Sequence, residues 1–166
     1  MAKFNFEFMD HSRGASIEAS KSDSALTTDE LLEVLRPAAM RLKEIYQQAI
    51  RKTFRQRTGS LADSIDFEDN YGGGYVWFTV KPSGSHKGGA YQRRSRAGDS
   101  SGRYAKHNRK PTKKAIKNEE LAYFLEYGTP RISASHWMEN ANDETEEEIQ
   151  DIIEKGFDDL LAKKGL

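Results

Sequence analysis

The 166-residue sequence contains no cysteine. That excludes a disulfide framework and a cysteine-rich zinc site, and it fits a cytosolic compartment. Nor does any stretch approach the roughly 18 uncharged apolar residues that a membrane span needs, so no membrane association is expected. The opening residues 1–10 alternate Phe4, Phe6 and Phe8 with Asn5 and Glu7. This is a strand pattern, without the continuous apolar run of a secretion signal. Histidine is scarce: His11, His86, His107 and His136 include no pair at three- or four-residue spacing, so the helical zinc motif is missing. There is no internal repeat, and the length suits one domain able to form a mixed helix and sheet core without staples.

Net charge is also missing, because 26 basic and 26 acidic residues cancel. The two signs are nevertheless set apart along the chain. Residues 81–117 hold twelve Lys or Arg against the single acid Asp99, a balance of +11. Residues 139–166 hold ten acids against Lys155, Lys163 and Lys164, a balance of −7. This polarity along the chain, not the average, is the informative quantity.

Patterning assigns the remaining segments. Residues 11–25, rich in Ser, Gly and charge, read as a linker or flexible arm, so that residues 1–25 form an N-terminal strand and arm beside a single domain at 26–166. Thr27 with Glu30 matches a capping box, and Leu31, Leu35, Leu42, Ile45, Ala49 and Ile50 then recur at helical spacing. Pro37 either kinks this helix or marks the start of its longer piece. Leu61, Ile65 and Phe67 lead toward a sheet, with a single helical turn open to residues 61–64. Tyr71-Gly72-Gly73-Gly74 predicts a hairpin connection to a strand at 75–80, antiparallel to its predecessor and covering the long helix.

Residues 82–117 have too few apolar side chains to build a core and are expected to form a long loop or extended hairpin that projects from the domain. A helix over 118–127 should place Leu121, Phe124 and Leu125 on one side and stop at Gly128. The last helix should start near Ser133 or Ser135 and carry Trp137, Met138, Ala141, Thr145, Ile149, Ile152, Ile153, Phe157, Leu160 and Leu161 on a broadly continuous apolar side. The fold class is therefore α+β: a small antiparallel sheet packed against a long N-terminal helix and a C-terminal helix, with a long basic loop.

Chemistry finds little purchase. Glu119, Glu120 and Glu126 read as a solvated helix face, Ser60 and Ser64 lack a local base, and adjacent Ser135 and His136 do not suit a nucleophile and its activator. Gly72–Gly74 precede a strand, whereas a phosphate-cradling loop follows one and opens a helix. No catalytic residue, metal ligand or cofactor is expected. The cationic tract is the strongest functional feature. Arg93, Arg94, Arg96, Arg103, Lys106, Arg109, Lys110, Lys113 and Lys114 are suited to neutralise phosphates, with Tyr91 and Tyr104 available to stack on bases. Charge alone does not separate DNA from an acidic protein face, and the C-terminal acids make head-to-tail pairing of copies electrostatically available.

Two further motifs bear on function. Thr58-Gly59-Ser60-Leu61 with Ser64-Ile65 follows the amphipathic helix, and Ala122, Glu126-Tyr127-Gly128-Thr129, Ala134, Trp137-Met138 and Ala141 follow in order. In these stretches, over about residues 26–161, the chain resembles the family named after the gp10 protein of bacteriophage HK97. Its members are small tail-component or tail-completion proteins encoded among head–tail connection and tail genes. His136 stands where that family usually has proline, and the basic segment 86–117 is longer than the family's connection.

The resemblance implies a virion structural protein, not an enzyme, located in the tail or neck and in the bacterial host cytoplasm during assembly. Its partners would be copies of itself in a ring and neighbouring tail or head–tail connector subunits, with DNA in proximity. The alternative is a nucleic-acid-binding module using residues 81–117. Read physically, Gly59 and Gly128 allow tight reversals, Thr58 and Thr129 bond backbone groups in turns, and Glu126 caps or pairs nearby. Leu61, Ile65, Phe124, Trp137 and Met138 are expected to close the sheet against the helices.

Overall fold

A computed structural model describes residues 15–20, 26–54, 60–86 and 116–165. In chain order these form β1 (Ala15–Ser20), α1 (Thr28–Thr53), α2 (Ser60–Asp63), β2 (Ile65–Gly72), β3 (Tyr75–Pro82), β4 (Ser85–His86), β5 (Ile116–Lys117), α3 (Asn118–Tyr127) and α4 (Trp137–Lys164). The class is α+β: two long helices lie with a three-stranded antiparallel sheet of order β1-β3-β2, and β4 and β5 pair separately.

The first helix begins where its cap dictates. Thr27 Oγ1 accepts from Glu30 N at 3.3 Å, while Thr27 N donates to Glu30 Oε2 at 2.9 Å, so two N–H groups of the first turn are satisfied reciprocally. Pro37 neither starts nor ends the helix; α1 runs through it. Proline is tolerated because it lies on the exposed side, where water can reach the carbonyl left without a donor. The opposite side buries Leu31, Leu35, Ala38, Leu42, Tyr46 and Ile50, each at 1 % exposure or less.

β2 and β3 pair from Ile65↔Pro82 to Gly72↔Tyr75, leaving Gly73 and Gly74 as a two-residue turn. Both glycines have positive φ, +59° and +85°, a backbone that suits the twist of an antiparallel hairpin. Alternation along β3 sends Val76, Phe78 and Val80 into the core and leaves Trp77 half-buried on the other face. One expectation about the chain's start needs correction. Ala15–Ser20 is not a linker but a strand, paired with β3 from Ala15↔Val80 to Ser20↔Tyr75. A central strand has a second edge whose backbone groups require partners, and polar residues supply them as well as apolar ones. The alternating phenylalanines of residues 1–10 lie outside the described residues.

α1 and α4 run antiparallel. Going down α1 and up α4, Glu30 meets Lys164 at 2.8 Å, Val34 abuts Gly156, Arg41 meets Glu148 at 2.6 Å, and Tyr46 Oη donates to Asn142 Oδ1 at 2.7 Å. At Gly156 an added Cβ would come within 3.1 Å of Val34 Cγ1, so glycine sets how closely the two helices approach. Ile149, Ile153 and Phe157 fill the seam beyond it. Each such side chain contributes about 1.5–3 kcal/mol by leaving water. None of the helices among the described residues is long and apolar enough to cross a membrane.

The Glu30–Lys164 pair joins the start of α1 to the end of α4, and it gives stability a defined pH dependence. The Lys164 ammonium, followed by the Thr27 N–H, holds the Glu30 carboxyl at about 2, down from 4.5. A carboxyl lowered on folding stabilises above its unfolded value and loses that contribution as acid protonates the folded state. Compared with Glu30→Gln in urea titrations, wild type should show its full advantage at neutral pH, and the gap should close as pH falls from 4.5 toward about 2. A gap that ignores pH over this window would contradict the pairing.

Candidate functional site

The second of the two motifs folds into one device, the turn between α3 and α4. α3 spans the residues expected of it, but its inner side is not the one expected. Asn118, Ala122 and Glu126, four residues apart, face inward, whereas Phe124 is 40 % exposed and Leu121 and Leu125 are only half-buried. The physical reason is rotation. Phe124 stands two positions from Ala122, about 200° around the helix, so the small Ala122 and Phe124 cannot share a face.

Two polar residues sit at the ends of that inner row because each finds backbone partners. Asn118 Nδ2 donates to Ser83 O at 2.7 Å, and Asn118 N donates to Gly84 O at 3.1 Å, locking the start of α3 to the end of β3. Glu126, 2 % exposed, accepts through Oε2 from Met138 N at 2.8 Å and through Oε1 from Glu139 N at 3.2 Å. These are N–H groups of the first turn of α4, which have no partner within their own helix. The negative carboxylate also suits the positive helix end. α4 is thus capped by a side chain from the preceding helix, while its own N-cap residue, His136, makes no side-chain capping bond.

The chain between the helices is shaped to deliver this contact. Gly128 takes φ 79° and ψ −179°, a region open only to glycine. A Cβ there would lie 2.7 Å from both Ala134 N and Ile132 O. Thr129 and Ile132 exchange backbone bonds at 2.8 and 3.1 Å, and Thr129 Oγ1 accepts from Arg131 N at 3.3 Å. Ser135 Oγ donates to Leu125 O at 2.6 Å, and His136 N donates to Glu126 O at 3.2 Å. The last helix begins close to Ser135, as expected, but neither Ser133 nor Ser135 is its cap. Ser135 is turned back onto the final carbonyls of α3, and α4 starts at Trp137.

His136 has φ 48° and ψ 36°, the left-handed region, and is the one non-glycine residue with positive φ among the described residues. Its Nδ1 stands 2.9 Å from Glu139 Oε2. Trp137 and Met138 point inward at 2 % and 6 % exposure. Trp137 meets Tyr46 of α1 edge-on, with ring centroids 5.6 Å apart, a contact that contributes about 0.5–1.5 kcal/mol beyond burial. Burial, with a smaller push from the Glu126 charge, drives the Tyr46 phenol far above its usual range, so it serves Asn142 as a permanent donor.

In the first motif, Ile65 is buried, Leu61 is half-buried against the core, and Ser64 Oγ donates to Leu61 O at 2.7 Å. Thr58 and Gly59 lie outside the described residues, as do Arg93, Arg94, Arg96, Arg103, Lys106, Arg109, Lys110, Lys113 and Lys114 with Tyr91 and Tyr104. What is described is the two ends of that segment: Ser85↔Lys117 and His86↔Ile116 pair antiparallel, so residues 86 and 116 are held side by side. Lys81, at the tract's edge, is paired with Glu68 at 3.0 Å.

Several surface features escaped sequence reasoning. Tyr123, Phe124 and Tyr127 form an exposed aromatic row on α3, with Tyr123 5.0 Å from Tyr127 and 6.1 Å from Phe124 between ring centroids. A period-3.6 reading assigns such residues to the core, and only the polar inner row of α3 reveals otherwise. Between α1 and α4, a half-open cleft of about 390 Å³ is lined by Arg41, Ile45, Lys52, Trp137, Glu144 and Thr145. Its walls mix charged, polar and apolar side chains.

Gly128→Ala should destabilise the fold by about 2–4 kcal/mol, because it adds a forbidden backbone conformation to two backbone overlaps. Chemical denaturation measures this; a loss under about 0.5 kcal/mol, the size of an ordinary surface substitution, would contradict the turn geometry.

Comparison with protein-family models, with curated proteins and with solved structures finds no match to this chain.

Proposed function

We propose that the chain is a non-enzymatic structural subunit of a tailed bacteriophage or prophage virion, acting in tail completion or head–tail joining through contacts with copies of itself and with neighbouring tail or connector proteins. The observation that carries the reading is how the residues of the second resembling motif are used. Glu126 caps α4, Gly128 makes the reversal, and Trp137 and Met138 fill the core behind it, so each has a part in building the α3–α4 junction. A motif with so large an architectural share suits a scaffold whose business is done by its surfaces.

Those surfaces are of three kinds. α4 exposes Glu139, Asp143, Glu144, Glu146, Glu147, Glu148, Asp151, Glu154, Asp158 and Asp159, of which Glu148 pairs with Arg41 of α1 and Glu144 borders the cleft between the two helices. The aromatic row on α3 offers the residue types enriched at protein interfaces. The tract at 81–117 carries a balance of +11. Opposite charges held on one molecule allow the basic tract of one copy to meet the acidic helix of the next, a head-to-tail contact that closes into a ring if the rotation allows. Assembly would take place in the bacterial host cytoplasm, with the mature subunit in the tail or neck.

Native mass measurement and electron microscopy of virions or tails from the source phage or prophage test this reading. The subunit is expected in the particle, in a ring at the tail or neck; a chain that never enters any virion or tail preparation would sink it. The +11 tract also favours a second reading, a nucleic-acid-binding module. That reading requires DNA affinity that falls steeply with salt and drops when Arg93, Arg94 and Arg96 are replaced by alanine. Affinity indifferent to both would remove it.

A further inference from the structure

The α3–α4 junction brings together three side chains that the mechanical role of the turn does not explain in full. Glu126, His136 and Glu139 each offer one potential ligand atom, and all three atoms lie within 4.8 Å of one another. We propose that these residues bind one divalent transition-metal ion, with Zn²⁺ the ion that the donor set fits best. The inference does not depend on the assembly role and goes beyond it.

Geometry comes first. His136 Nδ1 and Glu139 Oε2 stand 2.9 Å apart. Two donors on one tetrahedral zinc ion, each bonded at about 2.0–2.2 Å, are separated by roughly 3.3–3.6 Å, so this pair has to open by about half an ångström to share an ion. Glu126 supplies the third donor from the floor of the site. Its oxygens accept from Met138 N and Glu139 N, and each retains a lone pair for a further contact. Those N–H groups fix the carboxylate's orientation in the way that outer hydrogen bonds orient the ligands of known metal centres.

Chemistry narrows the ion. One imidazole and two carboxylates are too hard for copper(I) and too rich in nitrogen for a calcium cage, and they match the ligands zinc takes from protein. The His136 and Glu139 side chains are 51 % and 66 % exposed, so the mouth is open and water can complete the coordination. The start of α4 opposes a cation, but its charge amounts to about half a unit. Two carboxylates carry four times that charge with the opposite sign. The site is assembled from the end of one helix and the start of the next, which is why a search for paired histidines along the sequence does not find it.

Calorimetric titration of the full chain with zinc chloride tests the proposal. Wild type should bind one equivalent, and His136→Ala and Glu139→Gln should each weaken binding about tenfold or more. Both replaced side chains are exposed, and circular dichroism confirms that each variant keeps its fold. Titration of wild type with Mn²⁺, followed by nuclear magnetic resonance, needs no variant at all. Broadening should centre on Glu126 and residues 136–139. No heat of binding, wild-type affinity in both variants, or broadening centred on His11, His86 or His107 would overturn the assignment.

Discussion

A carboxylate buried beside a helix start is the constraint around which this molecule is arranged. Glu126 cannot sit at 2 % exposure unless its charge is answered, and the answer comes from two N–H groups of α4. Those N–H groups cannot reach it unless the chain reverses within a few residues, which requires the glycine backbone at Gly128 and the return of Ser135 onto α3. Once the first turn of α4 is fixed, Trp137 is delivered against Tyr46 and the antiparallel seam with α1 follows. Each step limits the next, so a local cap determines where a 28-residue helix lies.

The seam in turn decides which surfaces stay free. α1 is buried between α4 and the sheet, with Leu35, Ala38, Ala39, Leu42 and Tyr46 at 0 % exposure. α4 is covered on one side only, so its acids collect on the other. The ion pairs that bridge the helices, such as Arg41–Glu148, are exposed and each contributes about 0–1 kcal/mol. They align the helices without holding them together; burial of Ile149, Ile153 and Phe157 does that. The acids of α4 that face away from α1 are therefore not needed by the core.

Local signals in the sequence were the legible ones. The Thr27–Glu30 capping box, the Gly73–Gly74 turn, the alternation of β3 and the stop at Gly128 each depend on a few neighbouring residues, and each stands where periodicity and turn chemistry put it. Non-local facts were not legible. Ala15–Ser20 is a strand because β3 has an open edge, which its own residues do not announce. Asn118 and Glu126 are buried because their partners lie 35 and 12 residues away, at Ser83 and Met138. The aromatic row of α3 faces outward for the same reason: the inner positions had been taken by polar groups with distant partners. The Glu126, His136 and Glu139 cluster belongs with these cases.

Removing the Glu126 carboxylate tests the account at its centre. In Glu126→Ala, two N–H groups at the start of α4 lose their acceptor inside the protein, and stability measured by urea denaturation should fall by about 2–4 kcal/mol. Hydrogen exchange should quicken at the amides of Met138 and Glu139 before it does so at the far end of α4. A variant within about 0.5 kcal/mol of wild type, with those two amides protected as before, would show that the helix start is held by something other than this carboxylate.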